Sequence, residues 1–273
     1  MSKLAAVLKQ HKKMFVPFIT AGDPDLETTK KLILAMEEAG ATIIELGIPF
    51  SDPMAEGPVI QEADLRALTA GCTTDKVFDM IKEVRKETDI PLVFLTYANP
   101  IFHYGTDKFY ARCAEAGVDG TIVPDVPYEE RGELETACAK YGVDRITMIA
   151  PTSADRIQKI AKDAKGYVYI VSSLGVTGVR SEITTDIGTI YKKIREVTDT
   201  PAAVGFGIST PEQAAAMARH SDGAIVGSAI VKMIGEYGKD CVEPVKEYVK
   251  KMADAVNRCE ERNGSCSDYV SVF

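Results

Sequence analysis

The fold is decided by residues 42–58, which read TIIELGIPFSDPMAEGP. A short β-branched run ends at Gly47 and passes directly into a loop rich in Pro, Ser, Asp and Gly. This pattern recurs about eight times, and such short apolar runs are typical of strands buried on both faces of a parallel sheet. The runs lie at Met14–Thr20, 42–47, 91–96, 120–123, 145–149, 167–171, Ala202–Gly205 and 224–227.

Charged amphipathic stretches separate these runs and predict helices, including 28–39, 75–88, 108–116 and 187–197. Alternation of strand and helix at this spacing predicts an α/β protein built from parallel βαβ units. About eight units in this length favour a closed (β/α)8 TIM barrel. Thr210-Pro211-Glu212-Gln213 predicts a helix start, and Gly40, Gly117 and Gly142 predict helix ends.

Two segments add to the barrel pattern. Residues 3–12 predict an extra N-terminal helix that covers the bottom of the barrel, and 48–69 predict an extended loop after the second strand. No linker or change in composition divides the chain. We therefore expect a single domain over 1–273, with the barrel at about 14–262 and a loose tail at 263–273.

Composition excludes several classes of function. The chain has 273 residues, a net charge of −8 and a pI near 5.1, without the basic stripe that nucleic-acid binding requires. No apolar run approaches the ~18–20 residues of a membrane span, so we expect a cytoplasmic protein. Six cysteines form no C-x-x-C pair, which indicates reduced thiols. None of the three histidines lies near another His or Cys at ligand spacing, which argues against a His/Cys zinc site.

Glu45 interrupts an otherwise apolar strand, on the same face as Ile43 and Gly47. A carboxylate there either faces the mouth of the barrel or costs several kcal/mol unless it is paired. Burial would raise its pKa, which suits a general acid and base. The alternative is an internal salt bridge, but no Lys or Arg lies at another predicted strand end.

The other loop acids have ordinary explanations as well as catalytic ones. Glu56, between Pro53 and Pro58, is by itself typical of a solvated loop glutamate. Asp52, Asp125 and Asp23 are typical of turn or cap residues.

Glycines after the seventh and eighth strands indicate a phosphate site, since Gly205, Gly207 and Gly227 allow backbone N–H groups to approach an anion. Ser228 opens a helix whose dipole would assist binding. The alternative is that these glycines only form tight corners. No G-x-x-x-x-G-K-[ST] motif is present, so nucleotide binding is not indicated.

Residues 175–178, Gly-Val-Thr-Gly, predict either a lid or an ordinary loop. Tyr169 and Phe18 are either core or pocket-lining residues. No lysine follows a strand, which disfavours a Schiff-base aldolase, and no His and carboxylate set supports a metal-dependent one. A phosphorylated substrate handled by carboxylates alone remains, and such a substrate must supply its own electron sink.

The motifs of this chain closely resemble those of the tryptophan synthase α subunit family over about residues 15–250. The matching stretches are FVPFITAGDP at 15–24, ELGIPFSDP at 45–53, GVTG at 175–178, GFGIS at 205–209 and GSAIV at 227–231. The resemblance implies a lyase that cleaves indole-3-glycerol phosphate by retro-aldol chemistry to indole and glyceraldehyde 3-phosphate. It also implies an α2β2 heterotetramer in which the partner β subunit carries pyridoxal phosphate and this chain carries no cofactor.

By resemblance, the catalytic residues are Glu45, which protonates indole C3 and handles the hydroxyl proton, and Glu56, which takes the indole N–H proton. The resemblance further implies a set of substrate-binding and phosphate-binding positions, comprising Phe18, Tyr97, Tyr169, Thr177, Gly178, Gly205, Gly207, Gly227 and Ser228.

The chain departs from the family pattern at two positions. Glu56 stands where the family usually has Asp, and Ser173 stands where many members have Arg. Two alternatives stay open at this stage. One is another phosphate-binding barrel enzyme, such as indole-3-glycerol phosphate synthase or phosphoribosylanthranilate isomerase, and the other is a non-catalytic barrel that only activates a β partner.

Overall fold

The computed structural model describes residues 2–172, 186–205 and 207–259. Nine strands are present in this part of the chain: β1 Met14–Thr20, β2 Ile44–Gly47, β3 Leu92–Leu95, β4 Gly120–Ile122, β5 Asp144–Arg145, β6 Thr147–Ile149, β7 Val168–Val171, β8 Ala202–Gly205 and β9 Gly223–Val226. The helices are α1 Lys3–Leu8, α2 Leu26–Glu38, α3 Pro58–Thr69, α4 Thr74–Val84, α5 Ala98–Tyr104, α6 Thr106–Ala116, α7 Gly132–Tyr141, α8 Ile157–Lys162, α9 Ile187–Arg195, α10 Pro211–Arg219, α11 Ser228–Tyr237 and α12 Val242–Arg258.

The strands form a closed parallel barrel. Their order is β5-β4-β3-β2-β1-β9-β8-β7-β6, and every pairing is parallel. Only Ile146 separates β5 from β6, and its N–H donates to the carbonyl of Thr121 at 2.9 Å. The two ends of the order are therefore halves of one strand, and the predicted (β/α)8 TIM barrel is confirmed.

Alternation along the strands separates the barrel interior from the helical layer. Ile43 packs inside the barrel with Val93 and Ile225, whereas Ile44 and Leu46 pack outward in the cluster that the helices cover. Glu45 follows the inward parity of Ile43, as the sequence predicts.

The N-terminal helix covers the bottom of the barrel as predicted, but it ends at Leu8 rather than near residue 12. Leu4 and Leu8 join the interior cluster, whereas residues 9–12 are exposed and have no apolar side chain to bury. The connection after β2 is extended as predicted, although its second half forms α3. Pro58 stands at the start of α3, and Ile60, Ala63 and Ala67 form its buried face.

The local helix signals are confirmed in detail. Thr210 and Gln213 form a capping box at α10, and Gly40, Gly117 and Gly142 all have positive φ. Five cysteines are free, and Cys266, the predicted tail and the barrel limit at 262 lie outside the described residues. No helix in the described part of the chain is long and apolar enough to cross a membrane, and no metal-binding group of side chains occurs there.

Candidate active site

A cavity opens at the carboxyl ends of the strands and encloses about 640 Å³, including its mouth. This position is the one expected of a substrate site in a barrel enzyme. It is lined by Phe18, Glu45, Ala55, Glu56, Ile60, Leu95, Tyr97, Pro124, Met148, Tyr169, Gly207, Ile208, Ile225, Gly227 and Ser228.

Glu45 reaches the cavity from β2, in register with Phe18 of β1 and Val93 of β3. Its side chain is 1% exposed, and the Tyr167 hydroxyl donates a hydrogen bond of 2.5 Å to Glu45 Oε1. Burial raises the pKa of Glu45 to about 8, and the bond from Tyr167 partly opposes that rise. No cation among the described residues contributes, so the salt-bridge alternative finds no support there.

Glu56 lies in the connection between β2 and α3 and is 6% exposed. The interpretation of Glu56 as a solvated loop residue is therefore wrong. Gln61 Nε2 donates to the Glu56 carbonyl oxygen at 2.7 Å and fixes the backbone. Burial raises the pKa of the Glu56 carboxyl, while the neighbouring Asp64 and Tyr97 act in the opposite direction.

The remaining loop acids have structural partners. Arg66 binds both carboxylate oxygens of Asp23 at 2.8 Å, and Asp25, not Asp23, caps α2. Asp125 accepts from the backbone N–H of Ala98 at 3.0 and 3.1 Å and so holds the start of α5 from the loop after β4, whereas the N-cap residue of α5 is Tyr97. Asp52 is exposed and bonds only to Ser51 among the described residues.

The far wall of the cavity combines glycines with the start of α11. Gly207, Gly227 and Ser228 line it together, and the first turn of α11 begins at Ser228. The Phe18 ring lies against two glycines, since a Cβ at Gly47 would be 2.8 Å from Phe18 Cζ and one at Gly227 would be 3.2 Å from Phe18 Cδ1. Backbone N–H groups at a helix start, bordered by glycines, are a common arrangement for binding an anion.

Comparisons with known proteins agree with this geometry. The family model described as tryptophan synthase alpha chain matches residues 4–257. The chain is 51% identical over 257 residues to the tryptophan synthase alpha chain of Lacticaseibacillus casei, which covers 94% of this chain and 96% of that one. This chain belongs to the tryptophan synthase alpha chain family.

Solved structures of this family share the fold. The tryptophan synthase alpha chain of Legionella pneumophila is 38% identical with a TM-score of 0.85, over 94% of this chain and 98% of that one. A tryptophan synthase complex from Pyrococcus furiosus is 36% identical with a TM-score of 0.81, over 88% of this chain and 98% of that one. The chain is thus a lyase that cleaves indole-3-glycerol phosphate in tryptophan synthesis, and alpha chains act with a β subunit. The alternative of another phosphate-binding barrel enzyme is excluded.

Most positions predicted from the resemblance to tryptophan synthase alpha chains surround one cavity. The predicted residues that line it are Phe18, Glu45, Glu56, Tyr97, Tyr169, Gly207, Gly227 and Ser228. Gly205 lies behind this lining, where a Cβ would come within 2.2 Å of Tyr169 Oη. Thr177, Gly178 and Ser173 lie outside the described residues.

Two polar residues of this alpha-chain site were not found from the sequence. Tyr167, which donates to Glu45, resembles any other aromatic residue of a buried strand, and its partner is 122 positions away in the chain. Asp64 lies on α3 beside Glu56 and is only 5% exposed. Its one sequence signal is position, because it follows the apolar Ala63 and stands four residues after Ile60.

Proposed function

We propose that indole-3-glycerol phosphate is bound in this cavity and cleaved there with Glu45 as general acid and base. The observation that carries the proposal is a carboxyl 1% exposed inside the barrel, facing the cavity and hydrogen-bonded by Tyr167. Because burial raises the pKa of Glu45 to about 8, the group holds a proton near neutral pH. A carboxyl in that state can both give and accept a proton during turnover.

The reaction requires two proton transfers. Glu45 protonates indole C3, which leaves an iminium at the ring nitrogen. The resulting carboxylate then takes the proton of the side-chain hydroxyl next to C3. The bond between that carbon and C3 breaks, its electron pair restores the aromatic indole, and the former hydroxyl carbon becomes the aldehyde of glyceraldehyde 3-phosphate. The substrate itself supplies the electron sink, so this chain needs no cofactor.

Glu56 is proposed to accept a hydrogen bond from the indole N–H and to stabilise the positive charge that develops there. It lines the same cavity as Glu45, and one of its oxygens, Oε2, is buried without a hydrogen-bond partner among the described residues. A buried acceptor without a partner is costly unless a ligand supplies the donor. The indole N–H is such a donor.

The phosphate is proposed to bind at Gly207, Gly227 and Ser228, with contributions from Gly178 and Gly205. Phe18, Tyr97 and Tyr169 then border the indole and glycerol portions. Thr177, a further predicted binding position, lies outside the described residues. In this proposal the anion lies at the start of α11, where no side chain caps the helix and its dipole favours negative charge.

The partner is proposed to be a β subunit that carries pyridoxal phosphate, in an α2β2 assembly. Large apolar side chains are exposed beside the cavity end of the barrel, with Met54 74% exposed before α3 and Phe102 48% exposed on α5. Both follow neighbouring strands, β2 and β3, so one partner would cover them together. Contact at Met54 would also restrain the connection that carries Glu56.

Indole release from indole-3-glycerol phosphate, measured with and without a β subunit, tests this proposal. We expect weak release by the chain alone and a rise of at least about tenfold with the partner, equivalent to ~1.4 kcal/mol of coupling. Absence of indole under both conditions would contradict the proposed reaction. Release that is unchanged by the partner, with no complex on sizing, would contradict the proposed assembly alone.

A further inference from the structure

Asp64 is a buried acid that the proposed reaction has not yet used. It lies on the inward face of α3, next to Ala63 and four residues after Ile60, both of which pack in a cluster with Phe18. The side chain of Asp64 is 5% exposed and lies beside Glu56, which is 6% exposed. Glu56 lines the cavity and Asp64 lies behind it, so the two form a pair of buried carboxyl groups at this wall.

No cation neutralises this pair within the described part of the chain. Arg66, two residues further along α3, is turned to Asp23 and binds both of its oxygens. Two adjacent carboxyls that are removed from water and lack a counter-ion cannot both ionise, because their like charges repel. The pair therefore retains one proton, and the remaining question is which oxygen holds it.

The surroundings place the proton on Asp64. Burial, Glu56 and Asp23 all raise the pKa of Asp64, to about 9, whereas Asp64 acts to lower the pKa of Glu56. The other titratable group beside the pair is Tyr97, whose hydroxyl accepts from the backbone N–H of Ala55 at 3.2 Å. The same hydroxyl is a hydrogen-bond partner of Glu56 and also lowers the pKa of that carboxyl.

Helix α11 also packs on α3 but adds no charge at this point. Its titratable side chains, Lys232, Glu236 and Tyr237, are each more than half exposed. Of the two carboxyls, Asp64 therefore keeps a proton to higher pH than Glu56 does.

We propose that Asp64 is a positioning residue whose carboxylic O–H donates to Glu56, keeps Glu56 ionised and turns its free oxygen towards the indole N–H. This inference rests on the proposed function of Glu56. The geometry that carries it is the juxtaposition of two buried, cation-free carboxyls in which Glu56 Oε2 still lacks a partner among the described residues. A donor on one side leaves the other side of the carboxylate available to the substrate.

The test uses two unreactive ligands, indol-3-ylpropyl phosphate and its 1-benzothiophene counterpart, in which sulfur replaces the ring N–H. Calorimetry gives their affinities for wild type, Asp64→Ala, Asp64→Asn and the exposed control Glu62→Gln. Near neutral pH, Asp64→Ala should weaken the indole ligand by about tenfold, because a hydrogen bond to a charged group is lost, and should leave the benzothiophene ligand unchanged. Asp64→Asn retains a donor and should bind both ligands as wild type does, as should Glu62→Gln.

A second arm repeats the indole measurement up to about one pH unit above the pKa of Asp64. Only about a tenth of Asp64 then keeps its proton, so wild type should lose about tenfold in affinity relative to Asp64→Asn. Two results would overturn the proposal. One is that Asp64→Ala loses the same affinity for both ligands. The other is that the ratio of the indole-ligand affinities of wild type and Asp64→Asn stays constant through this pH range. If Asp64→Ala does not fold, the comparison with Asp64→Asn decides alone. Failure of wild type to bind the indole ligand or to release indole would instead count against the proposed function.

Discussion

Asp119 and Glu45 lie at opposite ends of the barrel and in opposite electrostatic surroundings. The Asp119 side chain, 9% exposed just before β4, contacts Arg85 at 2.9 Å and Lys3 at 3.6 Å and accepts from the N–H of Leu92 at 2.9 Å. Glu45, 1% exposed, has Tyr167 beside it and no cation among the described residues. The bottom of the barrel thus surrounds its acid with donors and cations, whereas the cavity end leaves its acids uncompensated.

This difference separates stability from chemistry. At Asp119 the Leu92 N–H, Lys3 and Arg85 oppose the rise in pKa that burial causes, and their contacts link secondary-structure elements. Glu45, which is buried without a cation among the described residues, holds a proton near neutral pH and can transfer it. The comparison therefore predicts that substitutions at the two ends change different measurable quantities.

The largest effect is expected at Glu45. Replacement by Gln keeps the shape and removes the transferable proton, so indole release should fall by ~10³–10⁴ or more while binding of substrate changes only a few-fold. Steady-state rates and ligand affinity measured on Glu45→Gln provide the check. A variant that keeps a third of the wild-type turnover would remove Glu45 from the mechanism.

Stability should respond in the opposite sense at the two ends. Because the pKa of Glu45 is raised from 4.5 to about 8, its ionisation in the unfolded chain costs the folded state stability as the pH rises through that window. Glu45→Gln should therefore be more stable than wild type by of order 3 kcal/mol at about pH 7, and the gain should vanish below about pH 4.5.

The matched change at the other end is Asp119→Asn. It should lower the free energy of unfolding by about 1.5–3 kcal/mol, through loss of hydrogen bonds to charged groups, and leave the turnover of the folded fraction unchanged. Denaturant titrations of both variants over this pH range measure the contrast. A Glu45→Gln variant that is less stable than wild type at neutral pH would contradict the expected contrast.

Glu56 tests whether the second cavity acid acts on the indole N–H. Glu56→Ala should lose about a hundredfold in kcat/KM, in keeping with a charge-assisted hydrogen bond, while Glu56→Asp keeps a measurable part. The exposed Glu62 on α3 provides a control, since Glu62→Ala should leave kinetics unchanged. Normal turnover by Glu56→Ala would show that the loop carboxylate has no part in the reaction.

The smallest effect is expected at the phosphate end. Gly227→Ala would place a Cβ 3.2 Å from Phe18 Cδ1, so KM should rise by about tenfold with the fold retained. Ser228→Ala should cost less, because one neutral donor is lost. Gly132→Ala is the matched control, since a Cβ there meets nothing within 4 Å. An unchanged KM in Gly227→Ala would show that the phosphate group binds elsewhere.

The sequence predicts the barrel well because each strand carries its own pattern. The run around Glu45 shows its inward face by alternation, and α10 shows its start by Thr210 and Gln213. The helix α3 was absent from the prediction, because Pro and Gly before Pro58 resemble a continuing loop. The positions predicted around the cavity came from parity and family motifs, both of which are local.

The partners of the acids could not be predicted in this way. Tyr167 meets Glu45 only because the barrel closes and brings β2 opposite the start of the β7 strand region. Asp64 meets Glu56 only because α3 turns one face to Phe18. Both contacts depend on tertiary geometry, and they determine whether a glutamate is an ordinary acid or a proton carrier.

The protonation state of Glu45 itself tests the central claim most directly. Difference infrared spectra between wild type and Glu45→Gln, recorded as a function of pH, isolate the C=O band of the protonated Glu45 carboxyl. The account predicts that this band persists through neutral pH and disappears with a midpoint at about 8. A midpoint near 4.5, the ordinary value, would contradict it and would show that Glu45 is ionised like any compensated carboxylate.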